Sequence, residues 1–316
     1  VRKATTSVLL VNRDAFAPQM VTALNNTARA QGMNPLYAPG GDYEILFQSL
    51  RNGGTLEQFI QSDADYNLSP TSDDQPYFFN LDHGLPPAIR SALVLAAGLA
   101  IGLLALAAFA DEKGRQAEGR RWWAAVVYAM LIGAGFMLVE VPLIQRFQVL
   151  LGQPILSLAV VLATLLLAGG VGSLVSQRWS TLNLPTRVSI AGVWIAVVSV
   201  IYLLVLPQIV EALLPLSFEV RLLAIVGLTA LLGFPMGIPF PSLLRMAGAG
   251  KQQVALLWAV NGAFSVLGST LAVVISMLLG FKWALLVGAG AYLALALVAW
   301  ILLRAEAEMR VLVKAK

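Results

Sequence analysis

The chain has 316 residues, of which 58% are hydrophobic and only 12% charged, and its formal net charge is +4. Soluble domains run at roughly 45–50% apolar and about 25% charged, so this composition excludes an ordinary soluble protein and points to the membrane. The small charge, scattered among loops, gives no basis for a nucleic-acid partner, and the lack of cysteine excludes disulfides, thiolate metal sites and a cysteine nucleophile.

Residues 1–88 nevertheless read as soluble sequence. The chain begins at Val1 with neither methionine nor signal peptide, which leads to the expectation that more sequence precedes it. TTSVLLV (5–11) has the β-rich apolar character of a strand. PQMVTALNNTARAQGM (18–33) repeats its apolar residues at helical spacing, PLYAPG (35–40) is a turn, and 43–50 and 56–61 are short helices separated by NGG. One strand and three short helices cannot close a sheet. Residues 1–68 are therefore expected to be the C-terminal remnant of an α/β Rossmann-like domain. Residues 69–90, beginning SPTSDDQPYFF, form a junction rich in proline and aromatic residues, whose Tyr77, Phe78 and Phe79 suit a bilayer interface.

Seven apolar stretches of spanning length follow, at roughly 91–110, 122–144, 155–175, 188–206, 222–244, 254–280 and 283–303. A basic tail covers 304–316. The fold class is mainly α: a polytopic helical membrane bundle behind an α/β remnant.

Few residues carry candidate chemistry. No glycine-rich nucleotide loop, P-loop or HExxH occurs, and the single histidine, His83, has no second imidazole with which to share a metal. Asp73 and Asp74 allow two readings, turn formers between Pro70 and Pro76 or a site for an ammonium or divalent cation. Glu140 is the one acid well inside a span. With the span ending at Ile144, it either snorkels toward Gln145 and Arg146 or faces another helix along the stripe Gly133, Met137, Glu140, Ile144, there making an interhelical bond or serving as a proton or cation site. Asn261, with Ser265 one turn on, is the leading partner for it. Pro235, Pro239 and Pro241 are expected to kink or break the fifth span, and broken helices line binding sites in many transporters. The pairs Gly98/Gly102 and Gly233/Gly237 are weak packing signals.

VNRDAF, PLYAPG and PTSDDQPYFF, followed in order by GFMLVEVPLIQRFQVLLGQP (135–154), LLLAGGVGSLVSQRW (165–179), GFPMGIPFPSLLR (233–245) and WAVNGAFSVLGS (258–269), resemble bacterial multi-pass membrane proteins with a spermidine synthase-like domain. The likeness covers about residues 5–285. It implies an aminopropyltransferase-type activity that alkylates a polyamine with decarboxylated S-adenosylmethionine. The glycine-rich acidic cofactor loop and catalytic aspartate of that family have no counterpart in this sequence, so the chain by itself is expected to bind no cofactor and to be inactive. The alternative is a transporter-like module for a cationic or amphiphilic solute, the soluble part serving as scaffold. In either case the partners are the lipid bilayer and a polyamine or other small cation.

Orientation follows from charge. With seven spans, Arg146, Arg221 and Lys282 fall on the N-terminal segment's side. Lys113, Arg115, Arg120, Arg121, Arg178, Arg187, Arg245, Lys251, Arg304, Arg310, Lys314 and Lys316 fall on the other. Loops richer in Lys and Arg stay cytoplasmic, so the expectation is a bacterial inner membrane protein with a cytoplasmic C-terminus and residues 1–88 outside. A transferase fed by a cytoplasmic cofactor should face inward, and the two lines of reasoning pull apart.

Overall fold

The computed structural model describes residues 14–32, 55, 57–58, 74–75, 77, 84–112, 119–178, 183–246 and 251–314. The chain divides into two compact units, Val1–Thr71 with Phe78–His83, and Ser72–Tyr77 with Gly84–Lys316.

In the first unit α1 (Pro18–Ala30) forms where the helical periodicity predicts it. Proline opens it, where a missing N–H costs nothing, and Gly32 follows it with φ +73. The Thr55 amide donates to Gln58 Oε1 (3.0 Å) and the Gln58 amide to Thr55 Oγ1 (3.3 Å), a reciprocal cap at which Glu57 and Gln58 are helical, and the other residues of the helix expected at 56–61 lie outside the described residues. The strand expected at 5–11, the turn at 35–40 and the helix at 43–50 lie outside the described residues. Among the described residues there is no strand.

The second unit is a bundle of α2 (Pro87–Glu112), α3 (Gly119–Leu151), α4 (Pro154–Arg178), α5 (Leu184–Leu213), α6 (Phe218–Met236), α7 (Pro239–Met246), α8 (Lys251–Leu278) and α9 (Phe281–Lys314). These provide seven segments long and apolar enough to cross a membrane, with α6 and α7 sharing one. The expected break in the fifth span is present: Pro235 lies in the last turn of α6, Gly237 and Ile238 interrupt the helix, and Pro239 restarts it, with Pro241 inside α7.

Three expectations need correction. The second span does not end at Ile144. Pro142 removes one backbone donor, yet the helix runs on to Leu151 and stops where Gly152 takes φ +69. Gln145 and Arg146 are therefore helical, not loop. The junction ends earlier than 90, since α2 starts at Pro87. Nor is 304–316 a separate tail, because with no Gly or Pro to stop it α9 continues to Lys314.

Helix α3 is the hub. It touches each of the other bundle helices, most extensively α8 and then α9, and 56% of its spanning window is buried against 17% for α2. The α3–α8 contact is close because glycines face it from both sides. A Cβ on Gly133 would collide with the Asn261 carbonyl, and one on Gly268 would come within 2.7 Å of Ala134 Cα. Contact at backbone distance is what associates helices in a solvent as apolar as their own side chains.

Polar side chains join the helices in one recurring manner, donating to a neighbour's main-chain carbonyl. Trp122 Nε1 reaches Ala107 O (3.1 Å), Tyr128 reaches Pro239 O (3.1 Å), and Ser189 reaches Ala296 O (3.0 Å). Tyr202 reaches Leu228 O at 2.7 Å. A carbonyl engaged within its helix still has a second lone pair, so each such bond needs only one added donor. Trp194 shows the device under necessity. Pro235 has no N–H for the Leu231 carbonyl four residues back, and Trp194 Nε1 donates to that oxygen at 3.2 Å.

Gly133→Leu should disrupt the hub by about 1–3 kcal/mol. Gly102→Leu, at a glycine with open space around it, should stay within about 0.5 kcal/mol. Denaturant unfolding of the two variants in detergent makes the comparison, and equal losses would show that the α3–α8 approach is not limiting.

Candidate functional site

Two polar features stand out in the bundle unit, one at the junction and one inside α3. At the junction the structure brings together two candidates that lie far apart in sequence. The Asp74 carboxylate forms an ion pair with the Arg146 guanidinium, with the side chains 23% and 16% exposed respectively. Arg146 can reach it because α3 extends past Ile144. The same Asp74 accepts the Phe281 amide through its main-chain carbonyl (3.0 Å), satisfying one of the donors left open at the start of α9. Gly280 is required beneath it. Its φ is +103, and a Cβ there would strike the Asp74 carboxylate.

Aromatic contacts complete this clamp. Tyr77 packs edge-on to Phe281 with centroids 5.9 Å apart, Arg146 lies 5.4 Å from the Phe281 ring centre, and Gln145 Nε2 donates to the Tyr77 hydroxyl at 3.1 Å. Burial pushes the Tyr77 phenol above its ordinary value, with the Gln145 hydrogen bond opposing the shift, so Tyr77 stays neutral and serves as a hydrogen-bonding group. Asp74 thus ties the C-terminal half of α3 to the start of α9. Its charge is already matched by Arg146, which leaves it poorly suited to hold an ammonium ligand. Beside the clamp, an apolar cleft among α3, α5 and α9 is lined by Pro142, Tyr202, Pro207 and Phe281, with Arg146 and Lys282 as its cations. Asp73 and His83 lie outside the described residues.

The second feature is Glu140. It is 4% exposed, and its Oε2 is enclosed with no hydrogen-bond partner. The pairing expected with Asn261 is not made. Asn261 Nδ2 instead donates to Ala129 O at 3.1 Å, about three turns away along α3, and acts as glue between α8 and α3. Ser265 bonds back to the Asn261 carbonyl (3.0 Å) within its own helix. The stripe expectation holds at Gly133, which meets α8, but the acid two turns on has no partner there. Snorkelling fails as well, because α3 continues eleven residues beyond Glu140, about 16 Å. Sequence reasoning missed Tyr292 on α9, which is fully buried, has an unpartnered hydroxyl and is an electrostatic neighbour of Glu140. A tyrosine in an apolar run gives no sign of which neighbour it will face.

Among the described residues no group of His, Cys, Asp and Glu could hold a metal ion. Compared with family models, curated proteins and solved structures, the chain matches none.

Asp74→Asn and Arg146→Gln should each destabilise the bundle by about 1–3 kcal/mol, since each leaves a mostly buried polar partner unmatched. The double variant should cost less than their sum by at least about 0.5 kcal/mol. Additive losses in a detergent unfolding cycle would mean the ion pair contributes nothing of its own.

Proposed function

We propose that this chain is the membrane-embedded portion of a spermidine synthase-like protein, its bundle serving as a rigid anchor for an α/β transferase domain to which residues 1–68 belong. The full-length protein would transfer an aminopropyl group from decarboxylated S-adenosylmethionine to a polyamine. The observation that supports the anchor reading is the clamp at Asp74. Two residues of the junction belong to the bundle's own unit, Asp74 held by Arg146 and the start of α9, and Tyr77 by Gln145. The polar side chains bonded between helices are also spent on neighbouring carbonyls.

With labelled decarboxylated S-adenosylmethionine and putrescine, membranes holding the full-length protein should form labelled spermidine. The 316-residue chain in detergent should form none above a boiled control. No product from the full-length protein, or product from the chain alone, would sink the reading. The break at Gly237–Ile238 favours a second reading, a transporter-like module for a cationic or amphiphilic solute. Spermidine uptake by proteoliposomes of the chain would select it.

The placement proposed is the bacterial inner membrane with a cytoplasmic C-terminus, supported by seven spans and the Lys/Arg excess on the C-terminal side; it puts residues 1–88 outside and so counts against a transferase domain fed by a cytoplasmic cofactor. Cysteines introduced singly at Ser72 and Ser180 should differ in intact cells, with an impermeant maleimide labelling the first and not the second. The reverse pattern would invert the topology.

A further inference from the structure

The acids of the bundle unit meet different fates. Asp74 has a cation, and Glu211 and Glu219 lie near helix ends. Glu140 alone among the described residues is an acid enclosed deep within a span. A carboxylate is stable in such a place only if a cation or several donors compensate it. Neither is present. Of the guanidiniums on the same helix, Arg146 is committed to Asp74, and Arg120 and Arg121 sit in the first turn, nineteen or more residues before Glu140.

The helices packed on α3 do not supply a substitute. On α2, Arg90 sits at the exposed start. On α4, Arg178 is in the last turn. On α5, Arg187 bonds the Ser176 carbonyl and Tyr202 bonds Leu228 O. On α6, Glu219 and Arg221 are in the first turns, and on α7 Arg245 is exposed at the end. Between Gln252 and Leu278, α8 carries no titratable side chain. On α9, Lys282 is exposed at the start, and Tyr292 is a buried, neutral titratable group whose ring packs against Gly135 of α3. A phenol offers a neutral dipole and no positive charge.

We propose that Glu140 is a proton-binding site inside the bundle, its carboxyl protonated in this conformation, with Tyr292 as its neutral polar neighbour. A protonated carboxyl and a phenol are both neutral, so neither carries the burial cost of an unpaired carboxylate. Loss of the proton places a bare negative charge in the centre of the hub helix. The bundle must then rearrange to admit water or a cation, and its conformation becomes sensitive to pH through this one residue. This goes beyond the anchor reading and does not depend on transferase activity in either direction.

Infrared spectroscopy of the wild-type chain in lipid and heavy water at neutral pH reads the site directly. The expected spectrum contains the carbonyl stretch of a protonated carboxyl, separate from the carboxylate bands of the exposed acids, and Glu140→Gln removes it. No protonated-carboxyl band in the wild type, or a band that survives in Glu140→Gln, overturns the proposal. Should that variant fail to fold, dicyclohexylcarbodiimide, which attacks protonated carboxyls in apolar surroundings, is applied to the wild type and the adduct mapped by mass spectrometry. Modification of the peptide containing Glu140 supports the proposal, and modification confined to other peptides overturns it.

Discussion

Helices in lipid gain little by exchanging apolar lipid contacts for apolar protein contacts, so a bundle depends on places where backbones come closer than lipid allows. Here that place is the seam between α3 and α8, where Gly133 meets the Asn261 carbonyl and Gly268 meets the Ala134 backbone. Asn261 adds a hydrogen bond to Ala129 O on the same seam. With α8 fixed against it, α3 is held at the centre and can contact all the remaining bundle helices. The peripheral α2 shows the converse. Its Gly98 and Gly102 face open space, and most of its surface is left to lipid.

The hub position of α3 explains why both notable polar features occur on it. Its C-terminal half passes from the dry interior at Glu140 to the junction at Arg146 in under two turns. Those few residues carry an acid without a compensating charge and a base with one. Pro142 lies between them without ending the helix, and Ser157 of α4 donates to the Ile144 carbonyl at 2.6 Å just beyond it. The helix is thus tied to α4 past the proline, although the carbonyl that Pro142 leaves without its amide is that of Leu138, a turn and a half earlier.

Elsewhere the same economy recurs. Side-chain donors are directed at main-chain carbonyls of adjacent helices, and at Leu231 the carbonyl that Pro235 leaves unbonded is the one Trp194 meets. A proline that weakens one helix thereby creates an attachment point for another. The broken span α6–α7 is stabilised in this way, and its small residues face α4 across Gly169.

What the sequence determined by itself was the class and the count. Twenty-residue apolar runs, Gly and Pro between them, and charges that with the exception of Glu140 gather toward their ends specify seven spans, because the cost of exposing backbone to lipid depends on composition and length and not on neighbours. The break at Pro235–Pro239 was legible for the same reason, since a proline acts on its own helix. Which residues meet was decided only by the tertiary structure. Asp74 and Arg146 are 72 positions apart, and their pairing needed α3 to persist through Pro142, which local propensity argued against and packing by neighbours permitted. Glu140 and Asn261 both looked like interior glue. Only the register of α3 against α8, set by two glycines, gave Asn261 a carbonyl and left the Glu140 Oε2 without a partner, because a shift of one residue turns a helical side chain by about 100°.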